Sequence, residues 1–141
     1  MPTAEHSVTV ARPIEEVFAF LADAENDPRW RTGVLDIVRV AGEGVGARYR
    51  QGVKGPMGRR VPADIEITEL VPPRTIAFRG TAGPVRPEGR YELEPVDGGT
   101  RVRFSLAAQP RGAARLMTPM VVRAMRGEVQ AIERLPAAMG A

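Results

Sequence analysis

From residue 35 to 108 apolar side chains recur at every second position, and turn-forming residues interrupt the alternation at regular intervals. A period of two marks strands with one buried face, and a succession of them joined by short turns makes an antiparallel sheet. The runs are Asp36–Ala41, Ala47–Val53, Val61–Leu70, Thr75–Gly80, Arg90–Glu94 and Thr100–Ala108. Gly42-Glu43-Gly44, Gly55–Gly58, Val71-Pro72-Pro73-Arg74 and Asp97-Gly98-Gly99 supply turns. Tyr49, Gln51 and Val53 share one side of their strand, as do Ala63, Ile65 and Ile67, Tyr91 and Leu93, and Val102, Phe104 and Leu106. The sheet therefore has one apolar face, and that face needs a cover.

One later stretch is long enough to provide it. Thr118 to Leu135 reads as a helix, with Thr118 as cap and Pro119 at the first position, where a missing N–H costs nothing. Pro136 is the expected stop, because its ring disfavours helix at the residue before it. At about 100° per residue, Met117, Val121, Ala124, Met125, Ile132 and Leu135 share a broad face, with Arg123, Arg126, Gln130, Glu133 and Arg134 opposite. The rod is roughly 25 Å long, enough to cross a small sheet. Any helix from Gly112 to Met117 is expected to be a separate or bent segment, since proline removes a backbone bond. Gly127 interrupts the helix, and Glu128 projects near the middle of its apolar face.

Ahead of the sheet, residues 5–11 alternate as a further strand with His6, Val8 and Val10 on one side. Arg12-Pro13-Ile14-Glu15-Glu16 then starts a helix, with proline and acids in the first turn and Ile14, Val17, Phe18 and Leu21 inward. That helix ends near Asp23. A short helical turn from Ala24 to Trp30 follows, bent by Asp27-Pro28.

At 141 residues the chain is expected to be one domain, 1–141, burying about two-thirds of its unfolded surface. The absence of cysteine excludes disulfides, thiolate metal sites and Cys nucleophiles. No apolar run approaches the length of about 18 residues needed to span a bilayer, and the N-terminus lacks a basic region followed by an apolar one. A cytoplasmic protein without integral membrane association is the default expectation. The pI is near 10.1 with a net charge of only +3, because nineteen of the cations are arginine and only Lys54 is lysine. These arginines are scattered and alternate with glutamate along strands, without a basic block or aromatic–basic motif, which argues against nucleic acid as a partner.

The inventory for catalysis is thin. His6 is the only histidine, so His-rich metal sites are impossible and a Ser–His–acid arrangement would rest on a residue near the terminus. Gly42-x-Gly44-x-Gly46 joins strand to strand, whereas a dinucleotide loop must open a helix. Asp64 and Glu66 lie on the solvated side of one strand. Glu128, if interior, needs an arginine, a ligand hydroxyl or a proton; the expectation is that it overhangs the sheet edge and reaches water. No catalytic residue, metal or cofactor is assigned.

The same periodicities converge on one space. Tyr49, Phe78, Tyr91 and Phe104 from the sheet and Met117, Val121 and Met125 from the helix are expected to bound an internal cavity with its mouth near Trp30. Methionines pack adaptably around irregular shapes, and Tyr and Gln51 among apolar walls suit a mostly greasy ligand oriented by few polar contacts. Glu128 completes the candidate set.

The opening Ser7-Val8-Thr9-Val10-Ala11-Arg12-Pro13-Ile14-Glu15-Glu16-Val17-Phe18-Ala19-Phe20-Leu21, followed by Asp27-Pro28-Arg29-Trp30, resembles the START-like superfamily (SRPBCC). Within it, the likeness is to the polyketide cyclase/dehydrase and lipid-transport group. Glu69-Leu70-Val71-Pro72-Pro73-Arg74-Thr75-Ile76-Ala77-Phe78, Tyr91-Glu92-Leu93-Glu94-Pro95 and Gly99-Thr100-Arg101-Val102 fit as well. The resemblance implies an α+β helix-grip fold: a curved antiparallel sheet of about seven strands around a long C-terminal helix, with two short helices after the first strand. It also implies a deep apolar cavity that holds lipids, sterols, hormones or polyketides. Three functions stay open: binding of a hydrophobic or aromatic small molecule, a cyclase/dehydratase-type reaction using Glu128, Tyr49 or Tyr91, and an interaction module like the chaperone-ATPase activators. A monomer or a homodimer fits each of them.

Overall fold

The computed structural model describes every residue except Pro84. Eight strands make one antiparallel sheet: β1 Thr3–Val10, β2 Val34–Ala41, β3 Arg48–Lys54, β4 Arg60–Pro62, β5 Ile65–Val71, β6 Thr75–Gly80, β7 Glu88–Val96 and β8 Gly99–Ala107. Their order is β1-β8-β7-β6-β5-β3-β2, with β4 paired to β3 off that path. The sheet curls into a half-barrel gripping the C-terminal helical segment, the helix-grip arrangement that the resemblance implies. Helix α1, Ile14–Ala22, and a 3-10 turn, Ala24–Arg29, follow β1 as expected. Gly42 to Gly46 lies in the β2–β3 hairpin, so the glycine-rich stretch is a turn.

Register follows from the alternation. His6 faces Phe104, Tyr91 faces Phe104 and Leu93 faces Val102, so the apolar rows meet across neighbouring strands. The expected strand Val61–Leu70 is broken instead into β4 and β5. Pro62 has no N–H to give the ladder, and at the break the Asp64 carboxylate accepts a hydrogen bond from the Gln51 backbone N–H at 3.1 Å. That carboxylate takes the place of a missing ladder carbonyl, and Gln51 is held at the bend.

The chain stays helical from Gly112 to Ala138 in four pieces: 3-10 turns at Gly112–Met117 and Ala131–Arg134, with α2 Thr118–Gln130 and α3 Leu135–Ala138. The separate segment before Thr118 is therefore present. Thr118 does not cap, however; its hydroxyl donates back to the Arg115 carbonyl at 2.7 Å, within the continuing helical path. Nor does Pro136 stop the chain. It falls in the first turn of α3, where its lack of an N–H is harmless.

Helix α2 lies against β1 and β8, and its buried residues are Met125 and Val129, continued by Ala131, Ile132 and Leu135. The buried face keeps Met125, Ile132 and Leu135 of the expected set and adds Val129 and Ala131. Met117 is 47% exposed and Ala124 is also exposed, because the first half of the helix projects beyond the core. The second half is tied down: Arg12 donates to the carbonyls of Met139 and Gly140, and Arg29 to that of Ala138. Fully burying Ile132 and Leu135 contributes about 1.5–3 kcal/mol each.

Candidate functional site

The segment between α1 and β2 crosses the inner face of the sheet. Asp23 caps its 3-10 turn by accepting from the Glu25 N–H at 3.1 Å, and Asn26 donates to the Phe20 carbonyl at 3.0 Å. The Asp27 carbonyl then receives the N–H groups of both Trp30 and Arg31, at 3.1 and 2.7 Å. This tight turn sends two consecutive large side chains inward. Trp30 is fully buried and Arg31 is 6% exposed.

Arg31 organises what surrounds it. Its Nη1 donates to Asp27 Oδ2 at 2.9 Å and to Gln51 Oε1 at 3.2 Å, while its Nε donates to Glu128 Oε2 at 3.2 Å. Gln51 is oriented by its own amide, which donates to the Ala63 carbonyl at 2.8 Å. The strand break at Ala63–Asp64, the turn at Asp27–Arg31 and the last turn of α2 thereby meet on one guanidinium. The Glu128 carboxylate lies close against Gly33, where a Cβ would stand 3.1 Å from Oε1.

One guanidinium serves two carboxylates, so the cluster carries excess negative charge. Burial pushes Asp27 up to about 6, against the lowering effect of Arg31 and with further upward pressure from Glu128. Arg31 itself stays protonated, held there by Glu128 and Asp27 although burial opposes it. Burial also drives the Tyr91 hydroxyl well above its ordinary value, in the combined field of Asp27, Arg31 and Glu128. Among the described residues, buried Asp27 Oδ1, Trp30 Nε1 and the Tyr91 hydroxyl find no hydrogen-bond partner. Each such group costs about 1–3 kcal/mol when left unpaired.

The apolar part of the site is an aromatic cluster. Tyr91 and Phe104 stack with centroids 4.6 Å apart, and Trp30 packs edge-on against both at 6.1 and 5.9 Å. Phe78 joins them at 6.0 and 6.5 Å, lying over Gly89, where a Cβ would be 2.1 Å from its ring. Met125 is buried beside this group and Val121 is half-buried.

The structure thus brings together Trp30, Gln51, Phe78, Tyr91, Phe104, Met125 and Glu128 of the expected set. Three expectations are corrected. Trp30 is not at a mouth but at the centre, because the Asp27 turn drives it inward. Met117 lies outside, on the projecting half of the helical segment. Glu128 does not simply overhang into water: its side chain is 26% exposed and pairs with buried Arg31. Tyr49 stands apart, in a hollow of about 360 Å³ with Asp23, Glu25, Arg39 and Leu70. A groove of about 660 Å³ is lined by strand residues, among them Glu5, Glu69, Phe78, Arg79, Arg90 and Leu106, with none from the helical segment. Neither hollow is the cavity expected between sheet and helix; in that place the aromatic rings pack on one another.

Asp27 and Arg31 are the residues that sequence reasoning missed. Their signal was an Asp–Arg pair four apart around a tryptophan, masked by eighteen other arginines. Among the described residues no group of His, Asp and Glu suited to a metal ion occurs, and no helix is long and apolar enough to cross a membrane.

A curved antiparallel sheet gripping a C-terminal helical segment is the START-like helix-grip fold. A family profile matches residues 1–139, and the chain belongs to the polyketide cyclase / dehydrase and lipid transport family. No curated protein matches the sequence. Among solved structures the chain is similar to TTHA0849 from Thermus thermophilus, with a TM-score of 0.80 and 23% identity over 99% of this chain and 100% of that one. It is also similar to a START superfamily protein from Mycobacterium smegmatis, with a TM-score of 0.73, 15% identity and coverage of 97% and 98%. A third is the di-domain ARO/CYC BexL from the BE-7585A biosynthetic pathway, with a TM-score of 0.71, 26% identity, and coverage of 95% of this chain but 46% of that one.

Proposed function

We propose that the chain, acting as a single domain, binds a hydrophobic or aromatic small molecule between the inner face of the sheet and α2, the packed rings of Trp30, Tyr91 and Phe104 parting to admit it, with the ligand's polar end at the Arg31 cluster. The observation that carries this is the trio of buried, unpartnered polar atoms on Asp27, Trp30 and Tyr91. Family membership and fold support it. The charge balance sets the class of head group. Arg31 is already shared by two carboxylates, so an anionic head would add a third negative charge to a dry site. A neutral hydroxyl or carbonyl instead accepts from Trp30 or Tyr91, and a hydroxyl also donates to Asp27 Oδ1. The ligand is a neutral, oxygen-bearing apolar molecule; a fatty-acid anion is discriminated against.

Trp30 is the only tryptophan, and it sits in the site, so its fluorescence reports occupancy directly. Decan-1-ol and decanoate share a tail and differ in head charge. At pH 7.5 the alcohol is expected to shift Trp30 emission and to bind about tenfold or more tightly than decanoate, a difference of about 1.4 kcal/mol. Tyr91→Phe should weaken the alcohol several-fold. If neither compound perturbs Trp30 up to its solubility limit, the binding reading fails.

One observation favours catalysis in the same place. A buried carboxyl poised near 6 beside a guanidinium suits proton transfer at an enolisable carbon. Deuterium exchange into a β-diketone, lost in Asp27→Asn, would establish that reading; exchange equal to solvent alone would end it.

A further inference from the structure

The longest stretch of this chain without an acid runs from Gly98 to Gly127. Within that window Arg111, just before the helical segment, and Arg115, Arg123 and Arg126 on it are all exposed. Among the described residues none of these four makes an ion pair, whereas Arg31, Arg39, Arg60, Arg79, Arg90, Arg101 and Arg103 each do. Between them the segment exposes large apolar side chains: Leu116 at 89%, Met120 at 54% and Met117 at 47%. Unpaired cations ringing exposed leucine and methionine are the pattern of an interfacial helix rather than of a solvated one.

We propose that the projecting half of the C-terminal helical segment, from Arg111 to Arg126, docks on an anionic lipid surface. The apolar side chains enter the boundary between head groups and acyl chains, and the arginines meet lipid phosphates. The charge pattern selects this occupant over others. A second copy docking through the same patch would bring eight guanidinium groups together with no acid between them. A nucleic acid would use the arginines but gain nothing from Leu116, Met117 and Met120. The segment is continuous with Met125 and Glu128, so docking places a lipid surface one helical turn from the proposed ligand site, although the inference does not depend on that site being filled.

Flotation of the full-length protein with vesicles tests it. One set is phosphatidylcholine alone and the other phosphatidylcholine mixed with phosphatidylglycerol. The protein is expected to float with the anionic set and not with the neutral one, and high salt should weaken the association. Arg115→Gln and Arg123→Gln should each reduce partitioning about fivefold, from about 1 kcal/mol per cation near such a surface. Leu116→Asp with Met120→Asp should abolish flotation while leaving circular dichroism and the unfolding midpoint unchanged, because both side chains are in water. Equal flotation with both sets would overturn the proposal. So would unchanged flotation of the double aspartate variant, since binding would then be attraction to any polyanion, and RNA would compete it away.

Discussion

Two guanidinium–carboxylate pairs of the same length behave in opposite ways. Arg31 and Asp27 meet at 2.9 Å inside the grip, and Arg79 and Glu66 meet at 2.9 Å across strands β6 and β5. The hydrogen bond from Arg79 holds Glu66 below the ordinary carboxylate range, whereas Asp27 is driven up to about 6. Distance does not distinguish them. Glu66 has the Arg79 cation to itself, with Arg48 adding to its effect and no second carboxylate competing. Asp27 is dry, shares its cation with Glu128, and has one oxygen unpartnered among the described residues. Hydration and the local count of charges decide what an ion pair does.

The strongest way to break the comparison is to remove the inner cation. Arg31→Met leaves two carboxylates facing each other at the helix–sheet contact and should cost about 3–5 kcal/mol in urea unfolding. Adding Asp27→Asn and Glu128→Gln to Arg31→Met should recover much of that loss, because the penalty lies in uncompensated charge rather than in lost attraction. A loss below about 1 kcal/mol for the single variant would mean that water reaches the cluster and that the inner pair is no different from the outer ones.

How much of this was legible in the sequence depends on the period of the signal. The strands, α1 and the segmented helix followed from local alternation and from proline at 13 and 119. The break at Ala63–Asp64 was not legible, because it depends on a side chain borrowing a ladder position from β3. The aromatic wall of Phe78, Tyr91 and Phe104 was readable because strand parity sends all three inward. Its centre was not: Trp30 and Arg31 enter on a loop, where no period says which way a side chain points. Glu128 was visible as an anomaly, but its partner lies 97 residues away in sequence. The exposed half of the helix was misread for a related reason, since a face is apolar whether or not the sheet reaches far enough to cover it.

The second test is the pH dependence, where the two kinds of pair carry opposite signs. Between the unfolded value near 4 and about 6, folded Asp27 holds a proton that the unfolded chain has released. Raising pH through that window therefore costs stability, roughly 3 kcal/mol in total. Asp36 and Glu66, lowered by Arg60 and Arg79, work the other way: they favour the fold above their unfolded values and lose that contribution as pH falls. Unfolding midpoints measured from pH 4 to 7.5 should drop as pH rises to about 6 and level off above it, and Asp27→Asn should flatten the drop. A wild-type profile that rises steadily with pH would show Asp27 titrating like a surface carboxylate.

The smallest expected effect sharpens the comparison most, because here geometry and environment make contrary forecasts. Arg101 and Glu94 face each other on β8 and β7 at 2.6 Å, closer than Arg31 to Asp27. If length set the strength, this would be the stronger pair. Both side chains are about half exposed, at 52% and 53%, so water screens them and holding two long side chains together costs entropy. Glu94→Gln is expected to change stability by less than about 0.5 kcal/mol. The coupling in a cycle with Arg101→Gln should also vanish near 1 M salt, where screening acts over about 3 Å. The cycle between Arg31 and Asp27 should keep its coupling in the same salt, since no counterion enters the space under Trp30. A salt-resistant coupling above about 1 kcal/mol at Arg101–Glu94 would make proximity the governing variable, and the contrast between the inner and outer pairs would have to be explained by Glu128 alone.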